Sequence, residues 1–339
     1  MNSSRKKLPI GIQTFRKIRE DDYYYVDKTP LALRLIEEGS HYFLSRPRRF
    51  GKSLFLDTLA ELFEGNRDLF IGLAAERQWD WSRRVPVIRL SFGGGVLHAR
   101  DALDNRIKDL LRINQEALGV PLHPGLDIAG QLGDLIRNAH AATGERVVVL
   151  VDEYDKPILD NLTDSVIASA MRDGLRNLNS VIKDADAHIR FAFLTGVSKF
   201  SKVSIFSGLN NLIDITVDAD YSAICGYTEA DLDTVFTAEL DGLDRDQIRT
   251  WYNGYNWTGE AVYNPFDVLL LFKKRHFHPW WFETGTPTFL VDVLTQRQAY
   301  LPDLDQLVAS EQLLSSFDVE NIRTEALLFQ TGYLTIAEQ

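Results

Sequence analysis

A short basic loop carries residue types that bind phosphate groups. It follows the apolar residues 42–44 and ends in Gly51, Lys52 and Ser53, directly before an amphipathic stretch that predicts a helix. A helix start offers unpaired N–H groups and the positive end of a dipole, and both favour bound phosphate. Lys52 would then contact the β- and γ-phosphates of a nucleotide, and Ser53 would ligate Mg²⁺. The consensus G-x-x-x-x-G-K-[ST] has glycine where Arg46 stands, and the alternative interpretation is a surface turn.

Two acids at the end of a strongly apolar run form a second candidate feature. Residues 147–151 are all apolar, as in strands buried on both faces of a parallel sheet, and Asp152 and Glu153 follow them. Asp152 would hold Mg²⁺ through its water shell, and Glu153 would polarise the attacking water. Two solvated acids at a strand end are the alternative. Because the loop and the acidic strand end occur in this order in one chain, together they predict a nucleotide-binding site.

A third feature lies at the end of the next apolar run, residues 189–196. In nucleotidases of this architecture a polar side chain at this strand tip orients water against the γ-phosphate. Thr195 and Ser198 are the two candidates for this role. A plain strand-to-loop turn is the alternative.

Three arginines belong to the basic loop. Arg46, Arg48 and Arg49 would pair with phosphates in place of the backbone cradle that a glycine at position 46 provides, because guanidinium groups bind phosphate oxygens bidentately. Alternatively they project outward, toward a partner or a nucleic acid. The sequence leaves both possibilities open.

The alternation of strands and helices around these features predicts a parallel α/β sheet. Strands are expected at residues 42–44, 85–92, 147–151 and 189–196, and helices at 30–38, 54–63, 99–118, 128–143 and 163–184. Thr29 is the expected N-cap of the first of these helices. Ligands bind such sheets at the carboxyl ends of the strands, where the three features would meet. After Asp220 the pattern changes to helices with aromatic-rich turns, so we expect a core over residues 1–220 and a mostly helical unit over 221–339.

The composition argues against several other classes of function. A net charge of −11 over 339 residues does not suit a protein that coats nucleic acid by bulk electrostatics. The single cysteine, Cys225, excludes an intrachain disulfide and a cysteine-rich metal site. No apolar stretch approaches the roughly 20 residues of a membrane helix, and the N-terminus lacks the apolar core of a signal peptide. We expect a cytoplasmic protein with no membrane partner.

Six motifs, in this order, resemble the predicted AAA-ATPase-like family of bacteria and some archaea. They are residues 46–53, 151–157, 194–199, 251–255, 263–265 and 284–287, and the resemblance extends from about Leu8 to Tyr333. In that family an arginine at position 46 belongs to the usual loop. The resemblance implies a P-loop NTPase parallel sheet of the additional-strand type, followed by a mostly helical, winged-helix-like domain.

The resemblance also implies a role for each site residue. The cofactor-binding residues would be Arg46, Pro47, Arg48, Arg49, Phe50, Gly51, Lys52, Ser53 and Leu54. The catalytic set would be Glu153, Lys52, Thr195 and Ser198, and the metal ligands would be Ser53 and Asp152. The helix start at residues 27–29 would lie near the base of the nucleotide, with a simple capping role for Asp27 as the alternative.

These observations predict a Mg²⁺-dependent ATPase that hydrolyses the β–γ phosphoanhydride bond and uses the cycle to move or release its C-terminal portion. The alternative is a switch that binds ATP or ADP without turnover and regulates a nuclease or a DNA-associated assembly. A third interpretation is duplex DNA binding through the winged-helix-like portion. Many relatives continue into a PD-(D/E)xK nuclease domain, whose signature we do not find before Gln339. The expected partners are therefore ATP or ADP, a second copy of the chain, or a nuclease.

Overall fold

The structure, a computed structural model, describes residues 5–121, 123, 125–199, 211–281, 290–291, 294–295 and 323–336. Its largest sheet has five strands: β1 (His41–Ser45), β2 (Val87–Ser91), β3 (Val147–Asp152), β4 (Ile189–Gly196) and β5 (Ile213–Asp214). Every pairing in this sheet is parallel, and the order is β2-β3-β4-β1-β5. The carboxyl ends of the strands therefore meet at one edge. Because β4 lies between β1 and β3, the arrangement agrees with the predicted additional-strand P-loop NTPase-like fold.

Helices cover both faces of the sheet. Those that precede residue 220 are α1 (Phe15–Glu20), α2 (Thr29–Glu38), α3 (Lys52–Phe63), α4 (Ala75–Gln78), α5 (Arg100–Leu118), α6 (Ile128–Thr143), α7 (Lys156–Leu159) and α8 (Ser165–Asp184). Short 3-10 helices lie at Arg67–Phe70, Asp186–His188 and Ala219–Tyr221. Successive side chains of a strand point to opposite faces. Accordingly Val149 packs in the apolar cluster that contains α5, α6 and α8, whereas Val148 packs in the cluster that contains α2 and α3.

The predicted strands and long helices are present, with small differences at their ends. The predicted N-cap is wrong, because Thr29 is the first residue of α2 and Lys28 occupies the N-cap position. The side chain of Asp27 accepts hydrogen bonds from the backbone N–H and the hydroxyl of Thr29 (2.9 and 2.7 Å), so Asp27 supplies the capping acceptor from one residue further upstream. Helix α1 and the two-residue strand β5 were not predicted, since neither is long enough to give a periodic pattern.

Shorter elements follow residue 220. They are α9 (Glu229–Val235), α10 (Thr237–Leu240), α11 (Arg245–Tyr252), β6 (Asn253–Tyr255), β7 (Val262–Tyr263), α12 (Pro265–Lys274) and α13 (Thr324–Gln330). Strands β6 and β7 form an antiparallel pair. Trp257 and Phe329 belong to the same buried cluster as Leu59 of α3, so apolar packing continues across the predicted domain boundary. That boundary and the winged-helix-like character stay predictions, and the motif at residues 284–287 lies outside the described residues.

Among the residues that the structure describes, no helix has the length and apolar character needed to cross a membrane.

Candidate nucleotide-binding site

The basic loop connects β1 to α3 and has an unusual backbone. Gly51, directly before α3, has φ 96°, and Arg49 has φ 69°, so both lie in the left-handed region. Glycine adopts this conformation without the steric penalty that a Cβ brings, which explains Gly51. Helix α3 has neither a side-chain cap nor an acid in its first turn. Its first N–H groups are thus without side-chain acceptors at the positive end of the helix dipole.

Lys52 bends back over the loop that precedes it. Its side chain is 7% exposed, and its Nζ donates to the backbone oxygens of Arg46 (2.9 Å) and Pro47 (3.0 Å). Burial lowers the pKa of Lys52, and the negative charge of Asp152 opposes this effect. The ammonium group is therefore held against the loop by two neutral carbonyl oxygens, which are weaker acceptors than phosphate oxygens.

Ser53 and Asp152 come together although they are far apart in sequence. Burial raises the pKa of Asp152, while a hydrogen bond from Ser53 and the charge of Lys52 lower it in part. Oδ1 of Asp152 is buried and has no hydrogen-bond partner. A hydroxyl beside a carboxylate with a free buried oxygen is a suitable donor set for Mg²⁺. Within the described residues there is no group of three or more His, Cys, Asp or Glu that could bind a metal, so further ligands would come from the nucleotide and water.

Glu153 has a strained backbone at the point where β3 ends. Its φ is 51°, which is uncommon for a residue that carries a Cβ. The carboxylate lies against the backbone of Gly93, where an added Cβ would be 2.9 Å from Oε2. Strain of this kind persists only when the surrounding structure enforces it, and it is concentrated at functional sites.

A cavity of about 420 Å³ opens beside the loop, within the range of roughly 300–1,000 Å³ that is typical of small-molecule sites. One wall is formed by residues 48–55, together with Glu153 and Lys156. The remaining walls come from the N-terminal segment and from the elements after residue 220, including Pro9, Ile12, Tyr24, Tyr25, Val26, Lys28, Cys225, Tyr227 and Phe266. The candidate residues Lys52, Ser53 and Glu153 thus share one cavity with apolar and aromatic side chains, whereas Asp152 is not part of its lining.

The three arginines of the loop differ in position. Arg48 and Arg49 line the cavity, and the Arg49 guanidinium lies 4.9 Å from the ring centroid of Phe266. Arg46 is fully buried and does not line the cavity. Its Nη1 donates to the backbone oxygens of Ser45 and Thr216 (2.9 and 2.7 Å), and Nη2 donates to that of Tyr221 (3.2 Å).

The Arg46 guanidinium also stacks on an aromatic ring, 4.0 Å from the centroid of Trp257. Burial lowers the pKa of Arg46 to about 10, so the group is still charged at neutral pH. The sequence left two roles open for this side chain, binding phosphate and contacting an outside partner. In the structure its contacts are instead with backbone oxygens and an aromatic ring inside the protein. Pro47 also lies outside the cavity lining and packs against Gly332, where an added Cβ would be 2.8 Å from its Cγ.

Thr195 and Ser198 are fully buried at the carboxyl end of β4 and do not line the cavity. Thr195 pairs with Leu44 of β1, and its hydroxyl has no hydrogen-bond partner. The Ser198 hydroxyl donates to Oδ2 of Asp155 at 2.6 Å. The two candidates for orienting water are therefore close together, but only the Thr195 hydroxyl is free.

Sequence reasoning gave no role to several residues of this region. Asp155 and Lys156 lie within the motif at residues 151–157, which was the available signal, yet their contacts depend on other segments. Lys156 donates to the backbone oxygen of Gly95 and to Asp160 (2.6 and 2.5 Å) while lining the cavity. The alternative role for Asp27, capping, agrees with the hydrogen bonds that it accepts from Thr29.

Comparison with known proteins decides the family. A sequence model described as predicted AAA-ATPase matches residues 9–206, which is more than half of the chain. The chain belongs to this family. It is also 70% identical, over 336 residues, to a protein of Azotobacter chroococcum mcd 1 described as an uncharacterized protein in the vnfD 5′ region. That alignment covers 99% of the chain but 65% of the relative, so the chain spans about two-thirds of the relative's length. The resemblance inferred from the motifs is confirmed, and nucleotide binding is the activity that membership suggests.

Proposed function

We propose that this protein binds ATP in the cavity beside the loop and hydrolyses its β–γ phosphoanhydride bond in a Mg²⁺-dependent reaction. The observation that carries the proposal is the convergence of Lys52, Ser53, Asp152 and Glu153 at the carboxyl edge of the sheet. Each comes from the end of β3 or the start of α3, and the buried Oδ1 of Asp152 has no partner within the protein.

Each of these side chains has a distinct role in the proposal. The γ-phosphate oxygens would replace the carbonyls of Arg46 and Pro47 as acceptors for Lys52. Ser53 and Asp152 would hold Mg²⁺, which supplies positive charge to the phosphate oxygens when it is bound. Glu153 would accept a proton from the attacking water as general base.

The apolar part of the cavity supports a nucleotide rather than free phosphate as the ligand. Ile12, Tyr227 and Phe266 line the cavity and would provide surface for a planar base. We further propose that the ATP cycle acts on the portion after residue 220. In support of this, Phe50 of the loop packs edge-on against Tyr255 and Trp257, with ring centroids 4.6 and 5.4 Å apart.

The direct test is phosphate release by the purified chain with ATP, with and without Mg²⁺. Lys52→Ala should weaken ATP binding by about 10- to 100-fold, because it removes a charge-assisted contact. Lys108→Ala, which replaces an exposed lysine of α5, is the matched control and should bind like the wild type. Glu153→Gln should keep ATP affinity and slow turnover by about 100-fold or more.

Two results would contradict the proposal. An unchanged affinity in Lys52→Ala would remove the loop from the binding site. Tight Mg²⁺-dependent ATP binding without phosphate release at any protein concentration would refute hydrolysis and favour a nucleotide-binding switch.

A further inference from the structure

We propose that Asp155 is a positioning residue that fastens the end of β4 to the end of β3, and thereby fixes Thr195 relative to Glu153 for hydrolysis. This inference rests on the proposed ATPase function, and it gives Asp155 a role that the sequence reasoning did not. It also gives different roles to Thr195 and Ser198, the two candidates for orienting water. Thr195, whose buried hydroxyl has no hydrogen-bond partner, stays the candidate for orienting water, whereas Ser198 is bonded to Asp155.

The carboxylate of Asp155 binds the segment after β4 through one of its two oxygens. It is 1% exposed, and its Oδ2 accepts three hydrogen bonds. The donors are the backbone N–H of Val197 (3.0 Å), the backbone N–H of Ser198 (2.6 Å) and the Ser198 hydroxyl (2.6 Å). Hydrogen bonds to an ionised acceptor are stronger than those between neutral groups, so this one oxygen orders the segment.

The preceding residue adds two more connections to the same segment. The backbone N–H of Tyr154 donates to the oxygen of Thr195 at 3.1 Å, and the Tyr154 hydroxyl donates to the oxygen of Ser198 at 2.9 Å. Tyr154 and Asp155 directly follow Glu153 in the chain. The proposed base and the tip of β4 are therefore connected by five hydrogen bonds within a few residues of each.

The close approach of the two strand ends requires glycine at position 196. A Cβ there would lie 2.5 Å from Oδ1 of Asp155 and 2.7 Å from Cε1 of Tyr154, well inside van der Waals contact. The side chain of Asp155 thus occupies the space that a larger residue at 196 would need. This packing fixes the carboxylate in the orientation that the hydrogen bonds use.

Two buried oxygens without hydrogen-bond partners explain why the connection between the ends of β3 and β4 is important for the proposed hydrolysis. Thr195 Oγ1 and Asp152 Oδ1 are buried without hydrogen-bond partners, although buried polar groups are ordinarily satisfied. Both lie near the carboxyl ends of adjacent strands. Groups held ready for a ligand must be kept in place by their surroundings, because a displacement of about 1 Å costs on the order of 100-fold in rate.

The test compares Asp155→Ala, Asp155→Asn and Ser198→Ala by steady-state kinetics and by equilibrium ATP binding. Asp155→Ala should lower kcat about 100-fold and leave the dissociation constant of ATP within about 3-fold of wild type. Asp155→Asn keeps an acceptor for the two backbone amides, so its kcat should be about 10-fold higher than that of Asp155→Ala. Ser198→Ala should cost about 3-fold alone and nothing further in the Asp155→Ala background, because both changes remove the same contact.

A matched control separates positioning from loss of stability. Asp164→Ala removes the N-cap acceptor of α8, which is bonded to the amides of Val166 and Ile167, and should lower the melting temperature without changing kcat. Hydrogen exchange at residues 197 and 198, measured without nucleotide, should be faster in Asp155→Ala than in Asp164→Ala.

The outcomes distinguish this inference from the proposed function. A kcat of Asp155→Ala within twofold of wild type, or unchanged exchange at residues 197 and 198, would overturn the inference while the ATPase activity stands. Absence of phosphate release by the wild type would overturn the proposed function, and with it the positioning role of Asp155 in hydrolysis, whatever the exchange measurement gives.

Discussion

Replacement of Arg46 by methionine tests whether this arginine anchors the loop. In the wild type its guanidinium donates to three backbone oxygens and stacks on Trp257 at 4.0 Å, with no exposure to solvent. Methionine preserves most of the buried volume and removes every one of these polar contacts. The change therefore isolates the guanidinium from the packing of its aliphatic stem.

The expected loss follows from these contacts. A hydrogen bond from a charged donor contributes about 1.5–3 kcal/mol, and a desolvated cation–π contact contributes about 2 kcal/mol. The cost of burying the guanidinium, several kcal/mol, offsets part of this sum. The oxygen of Tyr221 keeps the amide of Ile224 as a donor (3.1 Å), so the penalty falls on the other two carbonyls. We expect Arg46→Met to lower the free energy of unfolding by about 3–5 kcal/mol.

Urea denaturation measures this loss, and Arg34→Met is the matched control. Arg34 also contacts the segment around residue 220, through Asp220 (2.5 Å) and the ring of Tyr221 (5.3 Å), but its side chain is 40% exposed. Exposed ion pairs contribute about 0–1 kcal/mol, so the control should stay near wild type. Equal unfolding midpoints for Arg46→Met and Arg34→Met would refute the anchoring role and reopen phosphate binding by Arg46.

For two further substitutions the structure determines whether the protein becomes more or less stable. Gly51→Ala should cost about 1–2 kcal/mol in thermal unfolding, because φ is 96° but nothing lies within 4 Å of an added Cβ. Asp267 is buried with both carboxylate oxygens unpartnered, and burial raises its pKa to about 7. Since this folded-state pKa lies above the ordinary value, its ionisation costs the wild type stability as the pH rises toward 7. Asp267→Asn should therefore have a larger free energy of unfolding than wild type, and the difference should be about 2–3 kcal/mol larger at pH 8 than at pH 5. A difference that does not change with pH would contradict this prediction.

The sequence was sufficient to predict the sheet and the side chains that meet at its edge. Residues 147–151 form an uninterrupted apolar run, as is typical of strands covered on both faces of a parallel sheet. Parallel strands end at the same edge, so the loop after β1 and the acids after β3 were expected at that edge, and the observed order places only β4 between β1 and β3. This rule predicted that Lys52, Ser53, Asp152 and Glu153 share one edge of the sheet.

The remainder of the site depends on side-chain rotamers and on contacts between distant segments, which the spacing of residues in the sequence does not predict. The position of Arg46 in the loop is local, but the direction of its side chain is set by Thr216, Tyr221 and Trp257, at least 170 residues later in the chain. The cavity wall formed by the N-terminal segment has the same origin. Its residues mix charge, aromatic groups and turns without periodicity, so their role follows from packing against the elements after residue 220.

The backbone of the loop explains why arginine can replace the consensus glycine at position 46. The left-handed residues of the loop are Arg49 and Gly51, and Arg46 is not among them, so a Cβ at position 46 brings no conformational strain. What a side chain does need there is a buried space with acceptors. Tyr221 and Trp257 provide much of that space, and both follow the predicted boundary at residue 220. The loop is therefore supported from both predicted units, because Arg46 and Phe50 both contact residues that follow position 220.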